Sequence, residues 1–317
     1  MIFKNRATIN PFLTCVTLLF ILISAATPSQ SRTYTEEEKS LYYWSLIDTQ
    51  TAAQNEISRS LLAIVAGPDP VNHRQLAGDD IRWQGEPGNS PLLVIAFMSR
   101  TSYQNYYQEH LENHPGEDYI LQKSLWVTVV PELKNRFMRR IRSSMNACPP
   151  APDRVHQILG LNPAYDYEVL LEFWINPRDL FRPTPDPEIQ DHEGELAYPD
   201  TTGNWIFPRD MNPFLKLDDS AIYMDSAWSQ PMSFRDWFVN RAETIYAVGD
   251  DSDLSTWGWP WTRLGYTYDW GNPLNPTGLS EFLIRLDPNQ GNSITIILEK
   301  AVDINSPEWN SYFRCDP

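Results

Sequence analysis

Positive charge is scarce in this chain: 25 lysines and arginines stand against 41 aspartates and glutamates over 317 residues, a formal net charge of −16. Such a balance repels phosphate backbones and anionic lipid, so neither nucleic acid nor a membrane surface is an expected partner. Long apolar runs are missing too: the stretch from Phe12 to Ile23 is too short to span a bilayer as a helix. Cysteine is limited to Cys15, Cys148 and Cys315, with no pair at metal-ligand spacing. The chain has no HExxH, no GxSxG elbow, no P-loop and no GxGxxG, which removes local support for zinc protease, serine hydrolase, nucleotide hydrolase and dinucleotide oxidoreductase chemistry. His73, His110, His114 and His156 have no plausible nucleophile beside them in sequence.

What is present begins with an export signal. Lys4 and Arg6 precede the Phe12–Ile23 run, and Ser24, Ala25 and Ala26 follow it, the order of a cleavable leader with processing after Ala26 or Ser31. Cys15 lies near the start of the run instead of just behind it, which argues against a lipid anchor. Cleavage removes two basic residues and no acidic one, taking the net charge from −16 to −18. The product, residues 32–317, is expected to be periplasmic or secreted, without a membrane span. In an oxidising compartment its two remaining cysteines, Cys148 and Cys315, are expected to join and tie the C-terminus to the middle of one domain.

Thr35 and Glu38 have capping-box spacing, and Leu41, Trp44, Ile47, Ile57, Leu61, Leu62 and Val65 continue at helical intervals, predicting a long helix that stops before Gly67. Residues 71–90 read as a polar loop. Pro91–Phe97, Ser124–Val130 and Glu168–Ile175 read as buried strands, with a helical stretch over 100–115. Pro131 opens a helix with Leu133, Phe137, Ile141 and Met145 on one face and Lys134, Arg136, Arg139, Arg140 and Arg142 on the other. Asn176–Met211 is a proline-rich loop, Ser233–Ala247 a capped helix, and Phe282–Leu286 and Ile294–Leu298 two closing strands with their turn at Pro288–Gly291. The order predicts a single α+β domain with a mixed or antiparallel sheet, several helices and long proline-rich loops.

Candidate chemistry concentrates late in the chain. Trp257, Trp259 and Trp261 occupy alternate positions, as do Tyr266, Tyr268 and Trp270, so an extended backbone would present each set on one side as a stacking platform for sugar rings or as a core slab. Asp269 and Glu281, with Arg263 to position one of them, are a candidate carboxylate pair for glycoside hydrolysis or a structural ion-pair network. Asp186, Glu188, Asp191, His192, Glu193 and Glu195 crowd the proline-rich loop without any zinc spacing. No cofactor is expected, and calcium is the one metal this loop could suit. Asp250, Asp251 and Asp253 resemble half a calcium loop, without its glycine and distal glutamate.

The block Trp261-Thr262-Arg263-Leu264-Gly265-Tyr266-Thr267-Tyr268-Asp269-Trp270-Gly271 and the later Gly278-Leu279-Ser280-Glu281-Phe282, with Asp179-Leu180-Phe181-Arg182-Pro183 upstream, resembles uncharacterised exported proteins of bacteria. The resemblance implies a bacterial cell and no particular activity. Three functions are compatible with these residues: a binding or interaction domain for a neutral, hydroxyl-rich ligand such as a glycan, a glycan or cell-wall hydrolase, and a structural protein of the envelope.

Overall fold

The computed structural model describes residues 34–51, 53–67, 81–121, 123–138, 149–208, 222–223, 232–285 and 294–313. The expected leader, Cys148, Cys315, Arg139, Arg140, Arg142 and the turn expected at Pro288–Gly291 lie outside them.

Its frame is an antiparallel sheet of seven strands: β1 (Leu92–Met98), β2 (Asp118–Ile120), β3 (Trp126–Val129), β4 (Val169–Ile175), β5 (Leu180–Phe181), β12 (Phe282–Ile284) and β13 (Thr295–Asp303), in the order β2-β13-β4-β1-β3-β12-β5. Between β5 and β12 lie short two-stranded pairs, β6 (Tyr198–Pro199) with β7 (Trp205–Ile206), β8 (Ile222–Tyr223) with β9 (Met232–Ser233), and β10 (Tyr266–Tyr268) with β11 (Thr277–Ser280). The expected α+β class holds, and the sheet is antiparallel throughout. All seven residues of β1 are buried. Leu92, Val94, Ala96 and Met98 join one core, whereas Leu93, Ile95 and Phe97 join a second core on the opposite face. A strand covered on both sides has no polar face to alternate with, hence its unbroken apolar sequence.

The first core is closed by the extended segment 61–64 and by the helical run of α2 (Arg100–Tyr103), a π turn at Gln104–Gln108 and α3 (Glu109–Asn113). The second is closed by α4 (Val130–Met138), α5 (Pro152–Ile158) and α7 (Pro307–Tyr312), through Leu133, Phe137, Val155, Ile158, Trp309 and Tyr312. Beyond β5 and β12 a separate aromatic cluster packs against α6 (Phe234–Thr244), where Ser233 caps the helix by accepting from the Asp236 N–H, as its sequence predicts.

Two expectations are corrected. Helix α1 (Glu36–Gln50) has the predicted capping box at Thr35 and Glu38 but ends at Gln50, well short of Gly67. Leu61, Leu62, Ala63 and Ile64 are all buried, with Leu61 packing on Leu264 and Tyr266 while Leu62 enters the sheet core. Four consecutive buried residues facing opposite ways fit an extended chain, not one helical stripe. The two closing strands are not a hairpin either. β12 pairs with β3 and β5, β13 with β4 and β2, and three strands separate them. Alternation identifies a strand, but its neighbours are chosen by which faces the rest of the chain covers.

The segments flanking the cysteines meet: Trp309 Nε1 donates to the Pro150 carbonyl at 2.9 Å, and Phe313 packs edge-on against Phe137 at 5.5 Å. We expect mass spectrometry of the unreduced mature protein to show a Cys148–Cys315 peptide pair, and replacement of both by serine to lower stability by a few kcal/mol, with about 4–5 kcal/mol as the loop-entropy ceiling. Full alkylation of both thiols without reductant is the contrary result.

Candidate functional site

The aromatic block does not form one platform. Between Trp257 and Trp261 the backbone turns: Gly258 N–H donates to the Ala247 carbonyl, Trp259 N–H to that of Ile245, and Trp261 N–H to that of Trp259 only two residues back. Gly258 is needed there because a β-carbon would lie 1.7 Å from the Ile245 carbonyl oxygen. The three indoles therefore diverge. Trp257 stacks on Tyr42 of α1 at 6.4 Å, Trp259 on Tyr165 at 5.6 Å, and Trp261 packs against Phe238 of α6 at 5.1 Å. Trp270 meets Tyr42 edge-on, and of the six rings only that of Trp259 is more than marginally exposed.

Strand β10 (Tyr266–Tyr268), paired antiparallel with β11 (Thr277–Ser280), keeps the predicted alternation, and it separates two cavities. Tyr266 and Tyr268 line a cavity of about 700 Å3. Thr267, facing the other way, lines a narrow one of about 100 Å3. Gly278 allows the two strands to approach, since a β-carbon would lie 2.2 Å from the Thr267 hydroxyl.

The wall of the larger cavity comes from α1, the chain around 55–62, α4 and the β10/β11 pair. Its polar side chains are mostly fixed by one another. Tyr268 donates to Asp48 Oδ2 at 2.7 Å, and Tyr266 to the Glu56 carbonyl at 3.0 Å. Glu132, in the first turn of α4, accepts from the Ser280 N–H at 3.1 Å and the Ser280 hydroxyl at 3.0 Å, both at Oε1. Ser280 is itself held by the Leu62 N–H at 2.7 Å. Arg136, one turn on, donates to the Thr277 carbonyl at 3.1 Å. Burial pushes the Glu132 carboxyl up to about 7, against the Ser280 hydrogen bonds and the Arg136 and Arg182 charges, which pull it down. Asn55 and Arg59 form an exposed rim.

The sequence-derived pair separates. Asp269 is fully buried and forms a two-pronged pair with Arg154 of α5, Nη1 to Oδ1 at 2.6 Å and Nη2 to Oδ2 at 2.5 Å. Glu281 lies at the break between β11 and β12 and lines the narrow cavity, where its Oε1 has no hydrogen-bond partner among the described residues. Desolvation holds its pKa up to about 8, although Arg241 and Arg182 oppose the rise. Arg263 contacts neither carboxyl: with φ of 60° it swings its guanidinium onto the C-terminus of α1, donating to the carbonyls of Thr49 at 3.3 Å and Gln50 at 2.9 Å. It supplies the cation that the last turn of α1 lacks.

The acidic loop is organised by a cation from within the protein. Buried Arg182 donates to the carbonyls of Glu188, Asp191 and Leu62, and His192 Nδ1 lies 2.7 Å from the Leu61 carbonyl. Desolvation raises the carboxyls of Asp186, Glu188 and Glu195. Among the described residues no three acidic, histidine or cysteine side chains are grouped to hold a metal ion. Of the basic face of α4, Lys134 pairs with buried Glu172 at 3.1 Å and Arg136 lines the larger cavity.

Asp48 and Glu132 had no motif to mark them. The one legible sign is Asp48, an acid in the last turn of α1, where the helix dipole disfavours it. No family model, curated protein or solved structure matched this chain.

Glu281 carries a stability prediction. Its folded pKa of about 8 exceeds the ordinary value of 4.5, so the folded state holds the proton more tightly. The resulting stability is complete below pH 4.5 and is lost as pH rises to about 8, on the order of a few kcal/mol. Glu281→Gln should flatten the pH 7–8 part of a urea-unfolding series and stabilise the protein at pH 8; an unchanged slope would refute the assignment. Removing one partner of the buried ion pair, as in Arg154→Ala, should cost about 3–5 kcal/mol in the same assay.

Proposed function

We propose that this is an exported domain that binds a neutral, hydroxyl-rich ligand, such as a glycan or other envelope component, in the larger cavity. The observation that carries this reading is the character of that wall: carboxylate, amide and guanidinium groups of Asp48, Glu132, Asn135 and Arg136 beside two tyrosines, around about 700 Å3. Ligand sites of small-molecule size run at about 300–1,000 Å3 and fix their contents with a few placed polar groups. Groups that both donate and accept, with acidic and basic members in near balance, suit hydroxyls better than an anion. Export is supported by the leader pattern of residues 1–31. The ligand contacts come from the tyrosine half of the aromatic block, while the tryptophans keep the walls in place. A purely structural role would leave a cavity of this size without use.

On a glycan array, the mature protein should bind at least one neutral oligosaccharide class. Asn135→Trp, which fills the cavity from its half-buried wall, should weaken that binding at least about tenfold, since it removes both space and a polar contact. Its unfolding free energy should stay within about 0.5 kcal/mol of the parent, as for a substitution away from the core. No binding to any neutral glycan, or equal binding by the variant, would refute the reading.

A further inference from the structure

We propose that the larger cavity also hydrolyses a glycosidic bond, with Glu132 as the proton donor to the departing oxygen and Asp48 as the base that activates water. This rests on the binding reading above and adds a reaction to it.

The geometry behind it is a pair of carboxyls lining one cavity, one from α1 and one from α4, each fixed by a hydroxyl of the β10/β11 pair. Glu132 is held through Oε1 by both donors of Ser280, while its Oε2 has a single long contact, 3.4 Å from the Thr128 hydroxyl. Asp48 is held through Oδ2 by Tyr268. Ser280 is the cross-strand partner of Tyr266, and Tyr268 is two residues further along the same strand, a step of about 7 Å. The anchoring residues of the two carboxyls thus lie on the two strands of this pair, one step out of register, and both carboxyls line the same cavity. Neither alternative carboxyl competes: Asp269 has both oxygens committed to Arg154, and the cavity beside Glu281, about 100 Å3, is below the size of a sugar site.

The surroundings of Glu132 also suit a proton donor. Desolvation leaves Glu132 substantially protonated near neutrality, with Arg136 and Arg182 as the cations facing it and Asp48 and Glu56 as the other carboxyls on the cavity. In the reaction, the Glu132 proton passes to the bridging oxygen, the bond from that oxygen to the anomeric carbon breaks, and the electron pair leaves with the oxygen. Water attacks the anomeric carbon, giving it a hydroxyl and giving its proton to Asp48. A proton returning from Asp48 to Glu132 through solvent closes the cycle, and the net change is addition of one water across the glycosidic bond.

The test uses the full mature chain with purified peptidoglycan, chitohexaose, cellohexaose and xylan as probes, measuring new reducing ends together with binding of the same probes. The expected result is release of reducing ends, with activity falling as pH rises through about 7, and at least a hundredfold loss in Glu132→Gln, which keeps the Ser280 hydrogen bonds but carries no proton to give. Binding should survive in that variant, and Asp48→Asn should show the same split. Glu132→Asp, which keeps an acid, should retain a measurable rate if the glutamine variant fails to fold. Binding without release from any probe overturns hydrolysis and leaves the binding reading standing. Release that persists in a folded Glu132→Gln overturns the role of Glu132, and neither binding nor release overturns both readings.

Discussion

The feature on which both cavities depend is a strand that serves two sheets. From Thr277 to Ser280 the chain pairs with β10; after a single intervening residue, from Phe282 to Ile284, it lies between β3 and β5 in the large sheet. Three consecutive side chains at the change divide the interior. Ser280 faces the larger cavity and holds Glu132, Glu281 faces the narrow one, and Phe282 is sealed in the sheet core. The period-two alternation of an extended chain makes this division unavoidable. Any shift of one residue would exchange the serine for the glutamate and put an acid where Glu132 needs a donor.

Around that strand the protein buries cations and meets them mainly with backbone oxygen. Arg182 binds three carbonyls and lies 5.2 Å from the Phe282 ring, Arg263 binds two at the end of α1, and Arg241 lies 5.0 Å from the ring of Trp126. Guanidinium suits this role because it stays charged, is weakly hydrated, and carries several planar donors that can reach carbonyls on separate segments. Arg182 orders two stretches with little regular structure of their own, the acidic loop and the chain at Leu62, while Arg263 closes the C-terminal end of α1. The cost of desolvating the charge is offset by carbonyls that would otherwise be unpaired.

Local signals were legible and long-range ones were not. The Thr35 box, the Ser233 cap and the apolar runs of β1 and β4 depend on neighbours within a few residues, and the structure has them where the sequence puts them. The fate of 61–64 depends on Ser280, Ile189 and His192, more than a hundred residues away, so helical spacing there was accidental. The tryptophan alternation failed for a local reason, the turn through Gly258, whereas the tyrosine alternation held because β11 enforces an extended strand. Glu132 could be placed on a helix from Pro131, but its partner Ser280 is 148 residues distant and carries no mark of its role.

Helix α1 gives the N-terminal end of the domain an unusual schedule. Its side chains and its last turn are satisfied from the far end of the chain: Arg263 reaches Gln50 across 213 residues, Tyr42 donates to the Gly258 carbonyl across 216, and Tyr268 reaches Asp48 across 220. Contacts of such separation form late and slowly, because the loop must close before anything repays it. The first helix among the described residues therefore completes its contacts only when nearly the whole polypeptide has been made. Under the export proposed above, that delay is useful, since a threading channel admits only chain that has not yet folded.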